Sequence, residues 1–223
     1  MKLKTVTIIP ARGGSKGIPL KNLVNIKGKP LIWYSINASI NSSVSETWVS
    51  TDHEGIKDVS KKFGAKTILR PKELCDDFIM PDASLIHFAE NVEFDVLVFI
   101  QPTSPLIKPS YINSCIEKVV DEGYDSVFTV HEEHWIPKWS IKNDEKFGVD
   151  VISPFNWDML NRPRRQDKES LYVENGMLYV STRESLLSNR LRYGGKIGFV
   201  IIPIYDSFQV DSFEDLELVR RVI

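Results

Sequence analysis

Short apolar segments alternate with longer amphipathic segments along most of the chain. Five of the short segments have too few polar positions for a strand with one solvated face, so we predict strands buried on both faces: Val6–Ile9, Thr47–Ser50, Thr67–Leu69, Val96–Ile100 and Ser126–Val130. Between them the spacing of apolar residues predicts helices at about Leu31–Asn41, Gly55–Phe63, Asp82–Asn91 and Ser110–Asp121. This repetition predicts an α/β fold with a mostly parallel sheet that binds ligands at the carboxyl edge of its strands.

The pattern changes after Val130. Residues 131–168 contain three of the five tryptophans and a basic cluster, without a clear helical period. A long irregular insert of this kind is usually functional or interfacial. The α/β pattern then resumes with strands at Gly176–Val180 and Phe199–Pro203 and a last helix at Ser212–Val222. We therefore predict one domain, residues 1–223, which carries an inserted arm at 131–168.

A glycine-rich turn follows the first predicted strand directly. Its three glycines permit positive φ and let backbone N–H groups approach an anion closely: Gly13, Gly14 and Gly17. Three cations in the same turn match a polyphosphate better than a single carboxylate: Arg12, Lys16 and Lys21. The order Ser15-Lys16-Gly17 differs from a Walker loop, and Pro19 keeps the turn from opening a helix as a dinucleotide fingerprint does. We interpret it as a phosphate-binding turn; a solvated basic surface turn is the alternative.

Two other places carry candidate binding groups. Gln101 follows the most hydrophobic strand and leads into a Pro-Thr-Ser-Pro turn, where α/β proteins hold ligands. The alternative for Gln101 is that it satisfies backbone groups of the turn. The second place is the tightest cationic cluster of the chain, which suits a carboxylate but could equally be a solvated face: Arg162, Arg164 and Arg165.

Composition excludes several classes of function. The chain has 223 residues, with 28 Lys plus Arg against 30 Asp plus Glu, a net charge of −2 that does not favour nucleic-acid binding. No apolar run approaches the roughly 20 residues that span a bilayer, so we expect no membrane partner. Cys75 and Cys115 cannot form a disulfide framework, which favours a cytoplasmic protein. No cysteine–histidine cluster has the spacing of zinc ligands.

Seven segments, in order, resemble the acylneuraminate cytidylyltransferases, the CMP-sialic acid synthetases, within the nucleotide-diphospho-sugar transferase fold. They are Ala11–Asn22, Val49–Asp52, Leu69–Pro71, Gln101–Leu106, Asn161–Asp167, Glu174–Gly176 and Val210–Asp211. The resemblance covers almost the whole chain. It implies a Rossmann-like domain that transfers CMP from CTP to the anomeric hydroxyl of a nine-carbon 2-keto sugar acid, with Mg²⁺ as cofactor and pyrophosphate as the second product.

The resemblance also assigns roles to residues at matching positions. Arg12, Lys16 and Lys21 would neutralise the CTP phosphates during the reaction, which is the main electrostatic task in nucleotidyl transfer. The nucleotide would further contact Asn22, Arg70 and Ser84, although Ser84 could instead cap the helix that starts nearby. The sugar acid would contact Gln101, Arg165, Asn175 and Tyr179, with a buried structural role as the alternative for Tyr179.

The metal site departs from the family pattern. The family carries Asp-x-Asp near its carboxyl end, whereas this chain has Gln209 and Asp211. We predict that these two residues hold Mg²⁺, since an amide oxygen can coordinate and the phosphates of CTP supply further ligands. The alternative is that Asp211 is the N-cap of the last helix, with Glu214 at capping-box spacing.

The resemblance further implies a homodimer formed through the tryptophan-bearing arm. The substrate is open among N-acetylneuraminate, legionaminate, pseudaminate, Kdn and Kdo. A non-catalytic nucleotide-binding module is the alternative of another class, motivated by the carboxylate that is missing at Gln209.

Overall fold

A computed structural model describes residues 3–76, 78–145 and 148–223, without the side chain of Arg165. The chain forms two units, one built from Met1–His131 with Glu174–Ile223 and the other from Glu132–Val173. The described residues contain no helix that combines the length and the apolar character needed to cross a membrane. One domain with an arm at 131–168 stays a prediction.

The described elements follow the alternation read from the sequence. The strands are β1 Thr5–Pro10, β2 Asn25–Ile26, β3 Lys29–Pro30, β4 Glu46–Thr51, β5 Lys66–Leu69, β6 Val96–Ile100, β7 Ser126–Glu133, β8 Trp139–Asp144, β9 Val149–Pro154, β10 Leu171–Thr182 and β11 Ile197–Ile201. The helices are α1 Leu31–Ile40, α2 Glu54–Lys62, α3 Pro81–Asn91, α4 Pro109–Val120, α5 Arg183–Asn189 and α6 Phe213–Val222.

A seven-stranded sheet organises the larger unit, in the order β11-β7-β10-β6-β1-β4-β5. β1 pairs in parallel with both β4 and β6, and β5 continues in parallel from β4, whereas β10 is antiparallel to β6. This confirms the predicted α/β class with a mostly parallel sheet. Because β1, β4, β5 and β6 run in the same direction, the loops that follow them meet at one edge of the sheet.

The inner strands β1 and β6 are buried along nearly their whole length, as predicted. The prediction that Thr67–Leu69 is buried on both faces was wrong, because β5 lies at the edge of the sheet and Leu69 is 75% exposed. On one face, α1, α2 and α4 contribute Ile36, Ile56 and Ile112 to a core that includes Ile9 of β1. On the other face, α3 packs Phe88 against a second core that includes Ile8 of β1. Consecutive residues of β1 thus enter opposite cores, which is the period-2 alternation of a strand between two helical layers.

A third apolar cluster fixes the glycine-rich turn to the carboxyl-terminal region. It contains Ile18 of the turn, Ile26 and Leu31 from the next elements, and Val210, Leu216 and Val219 in and before α6. All six side chains are nearly inaccessible to solvent. Burial of Ile18 and Val210 in one cluster places the turn beside the segment that carries Asp211.

The smaller unit is more regular than its sequence indicated. We predicted an irregular insert, but β8 and β9 form an antiparallel hairpin in which Ile141 lies opposite Ile152. Trp139 and Trp157 pack edge to face at 5.2 Å between ring centroids within this unit. The hairpin went unrecognised because only short apolar alternations mark it, among charged residues.

Helix α5 is the main element of the larger unit that the sequence did not predict. It is only seven residues long and starts at the cap Thr182, whose side chain accepts the Ser185 N–H. Two buried residues, Ser185 and Leu186, are too few to produce a visible 3.6-residue period. β10 is also longer than the predicted strand Gly176–Val180, and β11 begins two residues before the predicted Phe199.

Candidate functional site

A cavity of about 430 Å³ opens at the sheet edge where β1, β5 and β6 end. Eight of the predicted site residues line it: Arg12, Lys16, Lys21, Asn22, Arg70, Ser84, Gln101 and Asp211. The side chains of Gln209, Asn175 and Tyr179 lie outside this lining. The topology therefore brings residues from five separate segments to the edge where a parallel sheet binds its ligand.

Asp52 and His53, which follow β4, hold the start of the glycine-rich turn. The Gly13 N–H donates to Oδ1 of Asp52 at 2.9 Å. A Cβ atom at Gly13 would lie 2.9 Å from the side chain of His53. His53 is itself held in place as the N-cap of α2, since its Nδ1 accepts the Ile56 N–H. Glycine is needed at position 13 because the loop after β4 approaches it so closely.

Four cationic side chains border the same cavity. Nη1 of Arg12 donates to the carbonyl oxygen of Cys75 at 3.0 Å. Lys21 forms an ion pair with Asp211 at 2.8 Å, and Lys16 lies exposed at the cavity wall.

Arg70 is buried and donates through Nη2 to the Ser50 carbonyl oxygen at 3.1 Å. Burial lowers the pKa of Arg70, but an arginine stays charged at neutral pH. A cavity with four cations attracts a polyanion.

Asn22 brings an unsatisfied acceptor to the cavity. Its side-chain amide donates through Nδ2 to the carbonyl oxygen of Arg12 at 3.1 Å. Its Oδ1 is buried and has no hydrogen-bond partner in the described part of the chain. A buried acceptor without a partner is costly, so a ligand hydroxyl that donated to it would be bound favourably.

The amino end of α3 forms another wall of the cavity, through Met80, Pro81 and Ser84. The helix begins at Pro81, and its N-cap residue Met80 makes no side-chain capping hydrogen bond. The alternative reading of Ser84 as the helix cap is therefore wrong, since Ser84 is a buried residue inside the helix. Proline at the first helical position, which costs no hydrogen bond, explains how this helix starts without the expected cap.

Gln101 lies where β6 ends and borders a group of amide side chains. Its N–H donates to the Met177 carbonyl oxygen, and its side chain lines the cavity. Gly176, with φ +72°, lets the amide side chains of Gln209 and Gln101 lie close to the backbone of β10. A Cβ at this position would lie 2.6 Å from Nε2 of Gln209 and 3.6 Å from Nε2 of Gln101. Asn175 is buried, and its Oδ1 accepts from Thr129 Oγ1 at 2.7 Å.

Gln209 is held by the protein through both ends of its amide. Nε2 donates to the Asn175 carbonyl oxygen, and Oε1 accepts from Thr103 Oγ1 at 3.5 Å. The Val210 N–H also donates to the Thr103 carbonyl oxygen at 2.8 Å. Gln209 therefore ties its segment to the loop after β6 and to β10.

Asp211 has its carboxylate exposed at the cavity, where an oxygen-preferring cation such as Mg²⁺ can reach it. Among the described residues, no group of three or more Asp, Glu, His or Cys side chains could hold a metal. The residues present therefore fit a Mg²⁺ ion bound through one carboxylate and completed by phosphate oxygens of a ligand.

Asp211 does not cap the last helix, so that alternative is wrong. Ser212 is the N-cap: its Oγ accepts the Asp215 N–H at 3.1 Å, and Asp215 accepts the Ser212 N–H at 2.8 Å. This reciprocal capping box lies one residue further along than Asp211 and Glu214. The carboxylate of Asp211 is thus free of any role in starting α6.

Tyr179 is buried under the sheet face that carries α3, and its hydroxyl donates to Glu174. Its ring stacks on Phe99 with centroids 5.4 Å apart. Burial, together with the hydrogen bond to Glu174, raises the pKa of Tyr179 well above its usual value. Phe99 itself lines the cavity, so Tyr179 supports the wall from behind.

The arginine cluster lies in the smaller unit. The Arg165 side chain, which we predicted to bind the sugar acid, lies outside the described part of the structure. Arg164 pairs with Asp167 at 2.9 Å, and the Arg162 guanidinium lies 5.4 Å from the centre of the Trp157 ring. These two arginines already have partners within their own unit.

Several residues of the site were not predicted to take part. Asp52 belongs to a segment that resembles the family, but nothing local indicated that it accepts the Gly13 N–H. Met80 and Phe99 also line the cavity. Phe99 was predicted only as part of a buried strand, and Met80 was given no role. Arg192 and Asp82, which are 110 positions apart, form a buried ion pair behind the cavity. A sequence without an alignment carries no signal for such a long-range pair.

Comparison with known proteins gives the same family as the sequence motifs. The profile of the cytidylyltransferase family matches residues 6–207. N-acylneuraminate cytidylyltransferase B of Danio rerio is 37% identical over 211 residues, which are 94% of this chain and 48% of the relative. The chain therefore spans about half the length of that vertebrate relative.

A bacterial relative matches over nearly its whole length. Pseudaminic acid cytidylyltransferase of Campylobacter jejuni is 29% identical over 225 residues, covering 98% of this chain and 95% of the relative. Among solved structures, CMP:2-keto-3-deoxy-manno-octonic acid synthetase in complex with CTP superposes with a TM-score of 0.71 at 23% identity, covering 98% of each chain. At that identity the superposition shows the shared fold.

Proposed function

The chain belongs to the cytidylyltransferase family, and from this premise we propose that it transfers CMP from CTP to the anomeric hydroxyl of a nonulosonic, sialic-type acid. The observation that carries the proposal is the cavity at the sheet edge, where a glycine-rich turn and four cations surround a space suited to a triphosphate. Relatives named for N-acylneuraminate and pseudaminic acid support this class of acceptor.

In the reaction, the anomeric oxygen attacks the α-phosphorus of CTP in line with the departing pyrophosphate. The new oxygen–phosphorus bond forms as the bond from the α-phosphorus to the bridging oxygen breaks, and the hydroxyl proton passes to solvent. Arg12, Lys16 and Lys21 stabilise the charge that grows on the phosphates, in positions that are set before the reaction. Asn22 binds a ribose hydroxyl or phosphate through its polar side chain.

Asp211, together with phosphate oxygens of CTP, would hold Mg²⁺, which would supply further positive charge to the leaving group and lower the pKa of the attacking hydroxyl. In the structure Asp211 is paired with Lys21 at 2.8 Å. The ion pair adds little to the free energy of unfolding, because the Asp211 side chain is 66% exposed. When the triphosphate binds, Lys21 can therefore turn to a phosphate oxygen and leave Asp211 for the cation.

The acceptor site lies beside the loop after β6. Gln101 offers an amide to the sugar acid at the cavity wall. The contacts with the sugar acid that the resemblance implies for Asn175, Tyr179 and Arg165 stay predictions, since Asn175 and Tyr179 lie outside the cavity lining and the Arg165 side chain lies outside the described part of the structure. A cytoplasmic location is proposed from the two unpaired cysteines, Cys75 and Cys115.

We expect pyrophosphate release from CTP that depends on both Mg²⁺ and a nonulosonic acid. The test supplies N-acetylneuraminate, legionaminate, pseudaminate, Kdn and Kdo in turn, with CTP, ATP, GTP and UTP as donors, and measures pyrophosphate and CMP-sugar. CTP should be preferred, with the highest kcat/KM on one nine-carbon acid. Saturable CTP binding without turnover on any acid would instead support a nucleotide-binding module.

We also propose a homodimer formed through the hairpin of the smaller unit. Ile141 and Ile152 lie opposite each other on β8 and β9 and are 72% and 59% exposed. Apolar side chains this exposed mark an interface. Light scattering at micromolar concentration should give twice the monomer mass, and Ile141→Glu combined with Ile152→Glu should give the monomer. The control is Lys142→Glu, the next residue of β8. A wild-type monomer would refute the proposal.

A further inference from the structure

A buried arginine lies behind the nucleotide cavity, in the segment that follows α5. Arg192 donates to Asp82 three times: through its backbone N–H to Oδ1 at 2.7 Å, through Nε to Oδ1 at 3.2 Å, and through Nη2 to Oδ2. The two side chains are only 12% and 6% exposed. A bidentate arginine–carboxylate pair shielded from water in this way is geometrically strict.

Two aromatic rings hold the guanidinium from the side of the sheet. Its carbon lies 5.5 Å from the ring centre of Phe99 on β6 and 5.2 Å from that of Tyr179 on β10. The ion pair therefore joins the sheet to the amino end of α3, where Asp82 lies in the first turn. Phe99 belongs to the cavity wall, so the contact also supports that wall.

The position of α3 matters because its first turn borders the cavity through Met80, Pro81 and Ser84. The N-cap residue Met80 makes no side-chain capping hydrogen bond with the first turn. Asp82, between these lining residues, is held by Arg192 instead. Loss of Arg192 would leave Asp82 buried without its charge partner, and the turn would have to move to rehydrate it.

From this geometry we infer that Arg192 is a positioning residue for the nucleotide: through Asp82 it sets the first turn of α3 against the wall of the CTP cavity. The inference rests on the proposed function, since it takes CTP as the ligand of that cavity. Arg192 acts through another residue and needs no contact with substrate. Replacement of Arg192 should raise the dissociation constant of CTP more than it lowers the rate of the chemical step.

The other end of the same helix provides a matched control. Arg183 donates through Nη1 to the carbonyl oxygen of Val92 and through Nη2 to that of Ala89, and its guanidinium lies 5.0 Å from the Phe94 ring centre. It thus holds the carboxyl end of α3 by hydrogen bonds to backbone carbonyls and by a ring contact, away from the cavity. Its removal should destabilise the protein without changing the nucleotide site.

The experiment compares Arg192→Met and Arg183→Met by calorimetric titration with CTP and Mg²⁺, by thermal melting and by hydrogen exchange. Both variants should melt at lower temperature. Arg192→Met should weaken CTP binding about 10-fold or more and speed exchange in the first turn of α3. Arg183→Met should keep the wild-type dissociation constant and speed exchange only at the far end. Arg192→Lys, which keeps the charge without the fork, should lie between wild type and Arg192→Met.

Equal CTP affinity in Arg192→Met and wild type would overturn the inference, and so would an equal loss in both arginine variants. If Arg192→Met does not fold, Asp82→Asn removes the ion pair with little change of shape and carries the same expectation. Wild-type protein that does not bind CTP would refute the proposed function instead. The hydrogen-exchange comparison, made without nucleotide, would still show whether Arg192 fixes the first turn.

Discussion

Replacement of Asp211 by Asn should reduce turnover with CTP and the acceptor acid by about 100-fold or more, with the melting temperature nearly unchanged. Asparagine keeps the size of the side chain and removes the negative charge that a Mg²⁺ ion needs. The loss should be large because Asp211 brings an exposed carboxylate to the cavity, whereas the amide of Gln209 is bonded to Asn175 and Thr103. Mn²⁺ in place of Mg²⁺ allows a second measurement by electron paramagnetic resonance. The signal of Mn²⁺ bound with CTP should weaken in the variant.

Ser212→Ala is the control for this experiment. It removes the oxygen that accepts the Asp215 N–H and should cost about 1 kcal/mol of stability, the usual value of an N-cap. Because Ser212 starts α6 and Asp211 does not, turnover should survive in Ser212→Ala and fall in Asp211→Asn. Normal turnover in Asp211→Asn would remove the carboxylate from the proposed metal site.

The alternating pattern predicted the inner strands of the sheet because they satisfy a strong local condition. Val96–Ile100 is apolar at all five positions, which only a strand covered on both faces explains well, and its predicted bounds are those observed. The glycine-rich turn was equally visible, since three glycines and three cations occur within eleven residues of β1. Both the apolar strand and the glycine-rich turn are formed by residues that are close together in the sequence, so they can be recognised without a structure.

The errors come from short elements and from competing local signals. Near α6 the sequence contains two overlapping capping boxes, Asp211 with Glu214 and Ser212 with Asp215, and propensity alone does not choose between them. The buried cluster of Val210, Leu216 and Val219 fixes the helical phase in the structure. At α3, Pro81 starts the helix where we had considered a serine cap.

The supports of the site could not be predicted because they join distant segments. Asp52 holds Gly13 across 39 positions, and Arg192 holds Asp82 across 110. Each is an ordinary charged residue in its own surroundings. Only the packing of the loops at the sheet edge reveals that they hold the residues that line the cavity.

A second large effect is expected at the contact between the glycine-rich turn and the Asp211 segment. A Cβ atom at Gly17 would lie 2.7 Å from the backbone oxygen of Asp211, closer than two such atoms can approach. Gly17→Ala must therefore push the two segments apart, at a cost of about 1–3 kcal/mol. Because Lys16 and Lys21 flank this glycine and Asp211 lies on the other side, a shift of about 1 Å should reduce kcat/KM for CTP about 100-fold.

Gly14→Ala tests whether the contact, rather than the loss of a glycine, is responsible. No atom of the described residues lies within 4 Å of a Cβ placed at Gly14, so kcat/KM should stay close to the wild-type value. If both variants lose activity equally, the turn rejects any side chain and the contact with Asp211 has no special part. If neither does, the turn and the Asp211 segment need not meet for catalysis. A loss confined to Gly17→Ala would show that the phosphate-binding turn and the proposed metal ligand act as one site, because within the described part of the chain the contact with Asp211 is what distinguishes position 17 from position 14.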